Sequence, residues 1–291
     1  MTDTVDIVLI GHIDKGQIVV GDNASTATGG AVYYGGIVLL RLGLRTAIVT
    51  RLAEADLPLL GELRAAGAQL YPVLTEETTG IENVIPDPRS DKRRCYQRGF
   101  AGTFQATDLP TVQARLYYVG TIITDEVDLP FLQAVASRGP LALDAQGCIR
   151  KRVGKELITA EWPWAEQALP LVRYLKVDDR EALALTGEEN HRRAAERLAR
   201  HGPKEIVFTR QEGLLVLAAG QFYEASFRPR SLAGRTGRGD TCFAAYLGRR
   251  LLGDDPERAT RFAAALTSLK LEKPGPFRGS LEDVERFLSQ T

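Results

Sequence analysis

The sequence predicts an α/β protein of three layers, with helices on both faces of a predominantly parallel central sheet. Three observations predict it. Apolar runs such as residues 5–10 and 141–143 lack polar alternation, which is how strands buried on both faces read. From Leu116 onward, strand-like and helix-like segments alternate regularly. Glycine- or acid-bearing loops follow several strands, at the ends where such sheets gather ligands. Segments about 15–30 and 80–100 fall outside the alternation and read as hairpins. They are assigned to a small β lid inserted in one domain spanning 1–291.

In order, residues 5–10 form the first strand, and the loop from Gly11 to Gly16 is a candidate site. Residues 17–20 and 24–28 flank Gly21, Asp22 and Asn23 as a polar hairpin. Gly29 and Gly30 open a helix that runs through 37–42 and closes at Gly43. Residues 46–50 are a strand, 57–66 a helix and 69–73 a strand. Two β-like runs from Thr78 to Val84 and from Arg93 to Gln97 surround a Pro/Asp turn at 86–89. Residues 116–119 are a strand, and a helix at 127–136 follows the helix-start acids Asp125 and Glu126. The strand at 141–143 ends at Asp144. Trp162, Pro163 and Trp164 read as a packed surface loop. Residues 173–177 are a strand, followed by a helix to Leu185 that Gly187 closes. A helix at 190–200 precedes strands at 205–209 and 214–218. Residues 256–271 are amphipathic, a Pro/Gly turn occupies 272–277, and 282–288 form the last helix.

Composition excludes several classes. Lys+Arg and Asp+Glu both number 37, so no net field favours nucleic acid or an anionic membrane. Met1 is followed by a polar segment rather than a basic and apolar leader, and no apolar run reaches spanning length. Cys95, Cys148 and Cys242 fit no zinc or disulfide spacing, and His12, His191 and His201 are dispersed. The expectation is a cytoplasmic protein without a structural metal, partnered by small molecules and by neither nucleic acid nor membrane.

The chemistry concentrates at residues 234–247, Gly-Arg-Thr-Gly-Arg-Gly-Asp-Thr-Cys-Phe-Ala-Ala-Tyr-Leu. Phe243, Leu247 and Leu251 recur at helical spacing, Ala244 fills the same face, and Gly248 and Arg249 lie off it. Gly237, Arg238 and Gly239 therefore sit at a helix N-terminus, where unpaired N–H groups and the helix dipole bind anions. Asp240 beside such a turn would repel a phosphate. It reads either as a base for a hydroxyl attacking that phosphate or as an ordinary first-turn acid.

The stretch resembles the C-terminal signature of the ribokinase-like (PfkB) carbohydrate kinases, Asp-x-Thr-Gly-Ala/Arg-Gly-Asp-Thr-Phe, with Gly234 at the place of the first Asp. Gly29 and Gly30 leading to Leu42 and Gly43 are similar to that family's N-terminal Gly-Gly-x-x-x-Asn signature, with Tyr34 at the Asn. The family's Gly-x-x-x-x-Asp after the first strand meets Gly16 here, and Asp14 lies two residues early. Thr78, Thr79, Asn83 and Arg94 match a Thr-Thr-x-x-x-Asn…Gly-x-Arg segment, and Asp144 to Arg150 matches Asp-x-Gln-Gly-Phe-x-Arg. Asp178 and Glu181 fall on Asn-x-x-Glu, and Thr209 and Gly213 on Thr-x-Gly-x-x-Gly without its central Gly.

The resemblance implies an ATP- and Mg²⁺-dependent kinase for a sugar or polyol hydroxyl. In it Asp240 is the base, and Gly237, Arg238 and Gly239 form the anion hole. Thr209, Gly213, Thr236 and Lys176 meet the nucleotide. Asp14, Gly29, Gly30, Tyr34, Asn83, Arg94, Asp144 and Arg150 meet the acceptor, and Glu181 and Asp178 meet magnesium. It also implies a monomer, or a homodimer through the lid. Because Gly16 and Tyr34 depart from the pattern, a nucleoside or inositol kinase is the enzymatic alternative. A non-catalytic binding or scaffold protein is the other, motivated by Gly234 as well.

Overall fold

The computed structural model describes residues 4–86 and 94–290. The first strand, β1 (Thr4–Ile10), is covered on both sides, so Ile7 and Leu9 enter one core and Val8 and Ile10 the other. It pairs in parallel with strands on each side. The remaining strands are β2 (Asp14–Val20), β3 (Asn23–Gly29), β4 (Thr46–Ala53), β5 (Gln69–Thr75), β6 (Gly80–Ile85), β7 (Arg94–Gly99), β8 (Gln113–Gly120) and β9 (Leu141–Asp144). They continue with β10 (Arg150–Val153), β11 (Glu156–Thr159), β12 (Val172–Asp178), β13 (Glu205–Thr209), β14 (Gly213–Ala218) and β15 (Gln221–Ser226).

The central sheet runs β15-β14-β13-β12-β9-β8-β1-β4-β5, and only β14 and β15 are antiparallel to their neighbours. One core lies under the helices Ala31–Arg41, Arg238–Leu251 and Pro256–Leu271. The other lies under Leu129–Ala136, Asp179–Thr186 and His191–Arg200. The expected three-layer fold is therefore present. The two hairpins placed outside the alternation join a second, six-stranded sheet ordered β10-β11-β7-β6-β2-β3. The turn expected at 86–89 and Arg93 lie largely or wholly outside the described residues. Among the described residues, no helix is long and apolar enough to cross a membrane.

Several local expectations differ from the structure for identifiable reasons. The helix expected at 57–66 is a 3₁₀ stretch, Glu54–Leu60, followed by a short α-helix, Gly61–Ala65, because Pro58 lacks an N–H for the regular ladder. The helix expected from Val127 starts at Leu129, since the Asp128 carboxylate accepts Phe131 N–H as its cap. The hairpin β10–β11 has only four-residue strands dominated by exposed polar groups, too short to show a period. β15 continues β14 through Ala219 and Gly220, both at positive φ, a two-residue hairpin turn. Gly248 is buried, with space for a Cβ blocked by Leu42 Cδ1 at 2.4 Å, so that face of the helix packs on Ala31–Arg41.

Candidate active site

The C-terminal ends of β1, β8, β9, β12 and β13 open on the same edge of the sheet, and the Arg238–Leu251 helix begins there. Gly237 is its N-cap at φ 77°, a left-handed conformation that glycine adopts without penalty. Its Cα faces the Tyr34 ring so closely that a Cβ would sit 2.4 Å from two ring carbons. Thr241 N–H bonds the Gly237 carbonyl and Arg238 N–H turns back to Arg235. The N–H groups of Gly237, Gly239 and Asp240 meet no acceptor among the described residues. Such unpaired N–H groups at a helix N-terminus are the donors that an anion requires.

Asp240 belongs to the first turn of the same helix. Burial pushes its pKa up to about 6, and Asp144 adds to the rise while Lys176, Lys270 and Arg150 oppose it. One pocket is lined by Asp240, Gly237 and Thr236 together with residues from both sheets. Asp14, Gly29 and Gly30 enter from the β2–β3 hairpin, Tyr34 from the first helix, and Ile81 and Asn83 from β6. Thr121 and Ile122 follow β8, and Gln146 and Arg150 follow β9. Nine of the residues singled out in the sequence thus share one cavity.

Asp14 is 9% exposed, and its Oδ1 accepts Ile81 N–H at 2.8 Å. Burial raises its pKa to about 7, against the Ile81 N–H and Arg150, with Asp240 adding to the rise. Positions 14 and 16 share one face of β2, and a Cβ on Gly16 would lie 2.8 Å from Asp14 Oδ2. The Asp14 carboxylate occupies the space into which a side chain at 16 would point. Arg150 donates to Cys95 Sγ at 3.0 Å, and Cys95 donates to Asn83 Oδ1 at 3.3 Å, so a buried thiol ties two pocket residues together.

Behind the pocket, Glu126 is fully buried. Its carboxylate accepts N–H groups from His12 (3.2 Å), Ile122 (2.7 Å) and Ile123 (2.9 Å), fastening the loops after β1 and β8. It is a loop anchor rather than a helix-start acid. Burial, only partly offset by those three N–H groups, pushes its pKa up to about 7. His12 packs against Phe100 and Phe104, and burial drives its pKa down to about 3.

On the other side of the anion turn lies Lys176, 3% exposed, with Nζ 3.0 Å from Asp144 Oδ1 and 3.4 Å from Glu181 Oε2. Burial disfavours its charge, but the two carboxylates outweigh that and raise its pKa. A Cβ on Gly239 would stand 3.4 Å from this Nζ and 3.8 Å from Thr209 Oγ1, which brings Lys176 and Thr209 beside the turn. Asp178 accepts Arg180 and Glu181 N–H groups as a helix cap, while Glu181 Oε2 accepts Asp178 N–H. Among the described residues no group of three or more ligating side chains surrounds a common point. Asp144 and Glu181 are the carboxylates that Lys176 brings beside the turn, and both are ion-paired with it.

Two of the singled-out residues lie elsewhere. Arg94 is exposed at the start of β7, opposite Val84. Gly213 packs under Ala225 at the start of β14 and accepts Arg210 N–H. Thr121 and Gln146 line the pocket, and Cys95, Glu126 and Lys270 bond its residues or the turn, without having been singled out. Gln146 alone lay inside a quoted motif.

Comparison with known proteins accords with this geometry. The model of the pfkB family of carbohydrate kinases matches residues 9–283. The chain is a member of that family. This kinase is accordingly a phosphotransferase acting on a sugar or polyol hydroxyl. No curated protein sequence matches it. Among solved structures it is similar to a pyrophosphate-dependent kinase of the ribokinase family complexed with a pyrophosphate analogue and myo-inositol. The two are 35% identical with TM-score 0.89, over 96% of this chain and 99% of the other. It is also similar to a pyrophosphate-dependent myo-inositol-1 kinase converted into a myo-inositol-3 kinase, at 34% identity and TM-score 0.88, over 98% and 99%. Arabidopsis thaliana ribokinase, complexed with ribose and ATP, shares the fold at 20% identity and TM-score 0.76, over 98% and 99%.

Proposed function

We propose that this kinase transfers a phosphoryl group from pyrophosphate to a ring hydroxyl of a cyclitol such as myo-inositol. The acceptor oxygen attacks one phosphorus, the bridging P–O bond breaks, the hydroxyl proton passes to Asp240, and orthophosphate leaves. The observation that carries this reading is the pocket that Asp14, Gly237 and Asp240 line together, at a helix N-terminus whose first N–H groups meet no acceptor among the described residues.

Each part has a physical role. Asp240, with its pKa near 6, is ionised at neutral pH yet basic enough to accept the hydroxyl proton in the transition state. The Gly237 and Gly239 N–H groups meet charge that develops on the moving phosphoryl group, each such donor being worth about 3–4 kcal/mol. Asp14, filling the space left by Gly16, accepts vicinal hydroxyls, and Asn83, Gln146 and Arg150 supply the opposing donors. Magnesium, when bound with the donor, would neutralise part of its phosphate charge, and Glu181 and Asp178 would be the carboxylates to hold it. Lys176 adds a fixed positive charge beside Gly239 whether or not metal is present.

The donor assignment is supported by relatives at 34% and 35% identity that are pyrophosphate-dependent, whereas the ATP-bound ribokinase shares the fold at 20%. Pyrophosphate requires cations and N–H donors but no nucleoside pocket. Orthophosphate or ADP release, measured with pyrophosphate and ATP as donors across cyclitols, pentoses, hexoses and nucleosides, tests the reading. Asp240→Asn serves as the blank. Turnover with pyrophosphate and a cyclitol, absent in the variant, is expected. Turnover only with ATP would refute the donor, turnover only with a nucleoside or aldose would refute the acceptor, and an active Asp240→Asn would refute the base.

A further inference from the structure

We propose that Lys270 is a positioning residue for phosphoryl transfer, its ammonium gripping the back of the 234–237 turn so that the unpaired Gly237 N–H faces the pocket. The inference goes beyond the assignment of donor and acceptor but rests on the reading of that turn as the anion hole.

Lys270 lies in the last turn of the Pro256–Leu271 helix and is 2% exposed, where a lysine requires partners. Its Nζ donates to the carbonyl oxygens of Gly234 and Thr236, and its charge stands 5.2 Å from the centroid of the Tyr34 ring. Two of its three protons are thus spent on the turn, and the charge rests against an aromatic face. Lys270 does not line the pocket that Thr236, Gly237 and Asp240 share. It approaches the turn from the other side.

The geometry of the peptide unit makes this grip directional. In a trans peptide the C=O and the following N–H point in opposite directions. The Thr236 carbonyl and the Gly237 N–H belong to one such unit. Anchoring the carbonyl on Lys270 therefore aims the N–H away from Lys270, toward the pocket. Gly234 itself is clamped, because a Cβ there would lie 1.8 Å from the Lys273 carbonyl oxygen and 2.9 Å from that of Lys270. The end of this helix and the turn form one packed unit in which a buried ammonium substitutes for the backbone donors that two inward carbonyls lack. Tyr34 completes the unit by packing under Gly237 and beside Nζ at once.

The test is chemical rescue. Lys270→Ala leaves two inward carbonyls and an aromatic face around a vacated volume, a receptor for a small ammonium ion. Its kcat is expected to fall about 100-fold or more, the scale of one misdirected oxyanion donor, with the acceptor KM unchanged. Ammonium or methylammonium chloride is expected to restore turnover, and sodium chloride at equal ionic strength is not. Lys270→Met fills the volume without charge and is expected to lose as much with no rescue. Lys270→Gln covers the case of an alanine variant that does not fold. Its uncharged amide is expected to lower kcat about tenfold or more at unchanged KM, roughly the loss of one charge-assisted bond, and wild-type turnover would overturn the proposal.

A Lys270→Ala enzyme with wild-type kcat, or one whose loss no amine relieves while its denaturant midpoint stays that of the wild type, would also overturn it. The two possible failures are separable. Wild-type turnover in Gly237→Ala, whose methyl would push the turn off the Tyr34 ring, removes the anion-hole reading and this inference together. An inactive Asp240→Asn beside a fully active Lys270→Ala removes this inference alone.

Discussion

Gly237→Ala is the substitution to which the site is most sensitive for the smallest change in mass. Two costs follow from the structure. At φ 77° an L-residue sits in the left-handed region, at about 1–2 kcal/mol. The new methyl would also lie 2.4 Å from Tyr34 Cγ and Cδ1, where carbon pairs rest at about 3.5–4 Å, so one partner must move by about 1 Å. Tyr34 has little freedom to move: it is 3% exposed, packs edge-on against Tyr33 and lies beneath Lys270. Overpacking of this kind adds about 1–3 kcal/mol, for a total loss of about 2–5 kcal/mol. A shift of about 1 Å in the turn also carries its N–H groups off the transferring group, which costs about 100-fold in turnover.

Urea unfolding gives the stability change, and steady-state orthophosphate release gives the kinetic one. In a double-mutant cycle, Tyr34→Ala should relieve the steric part, so the pair should destabilise by less than the sum of the two single changes. A Gly237→Ala enzyme with the wild-type midpoint and wild-type kcat would refute the reasoning. Strictly additive losses would refute the role given to the Tyr34 contact.

Other predictions concern charge. Because Asp240 titrates near 6 and must be ionised to act as base, kcat/KM should fall as pH drops through 6, and a profile flat down to pH 4.5 would exclude it. Asp14, Glu126 and Asp240 all have raised folded-state pKa values. The stability they contribute is present below the unfolded value near 4 and is lost as pH rises through about 6–7, so the ligand-free protein should melt lower at pH 8 than at pH 5, by calorimetry. Lys176→Met strands Asp144 and Glu181 as buried carboxylates and should cost about 3–5 kcal/mol; urea midpoints check this. Gly234→Asp places a Cβ 1.8 Å from the Lys273 carbonyl and should destabilise by about 3 kcal/mol or more, so an unchanged denaturation midpoint would contradict the packing described for this turn.

Much of this protein was legible in its sequence because its signals are local. The both-face burial of residues 5–10 and 141–143, the glycine at 187 and the cap of the Arg238–Leu251 helix each follow from a few neighbouring residues. So did the pairing of an anion turn with an acid at 240. What the tertiary structure decided is long-range. No spacing in the chain shows that Asp14 fills the space beside Gly16, since that depends on how β2 packs against Gly29. Glu126 and Lys270 were read as, or among, ordinary helix residues, and only the folded chain buries one under two loops and the other behind the 234–237 turn. The short strand β11 is likewise joined to the sheet by a strand distant in sequence, at Glu156 and Tyr96. Local sequence determines where an N–H or carboxylate is available; which group faces it across the cleft is set by packing, because desolvation and hydrogen-bond direction exist only once the layers have closed.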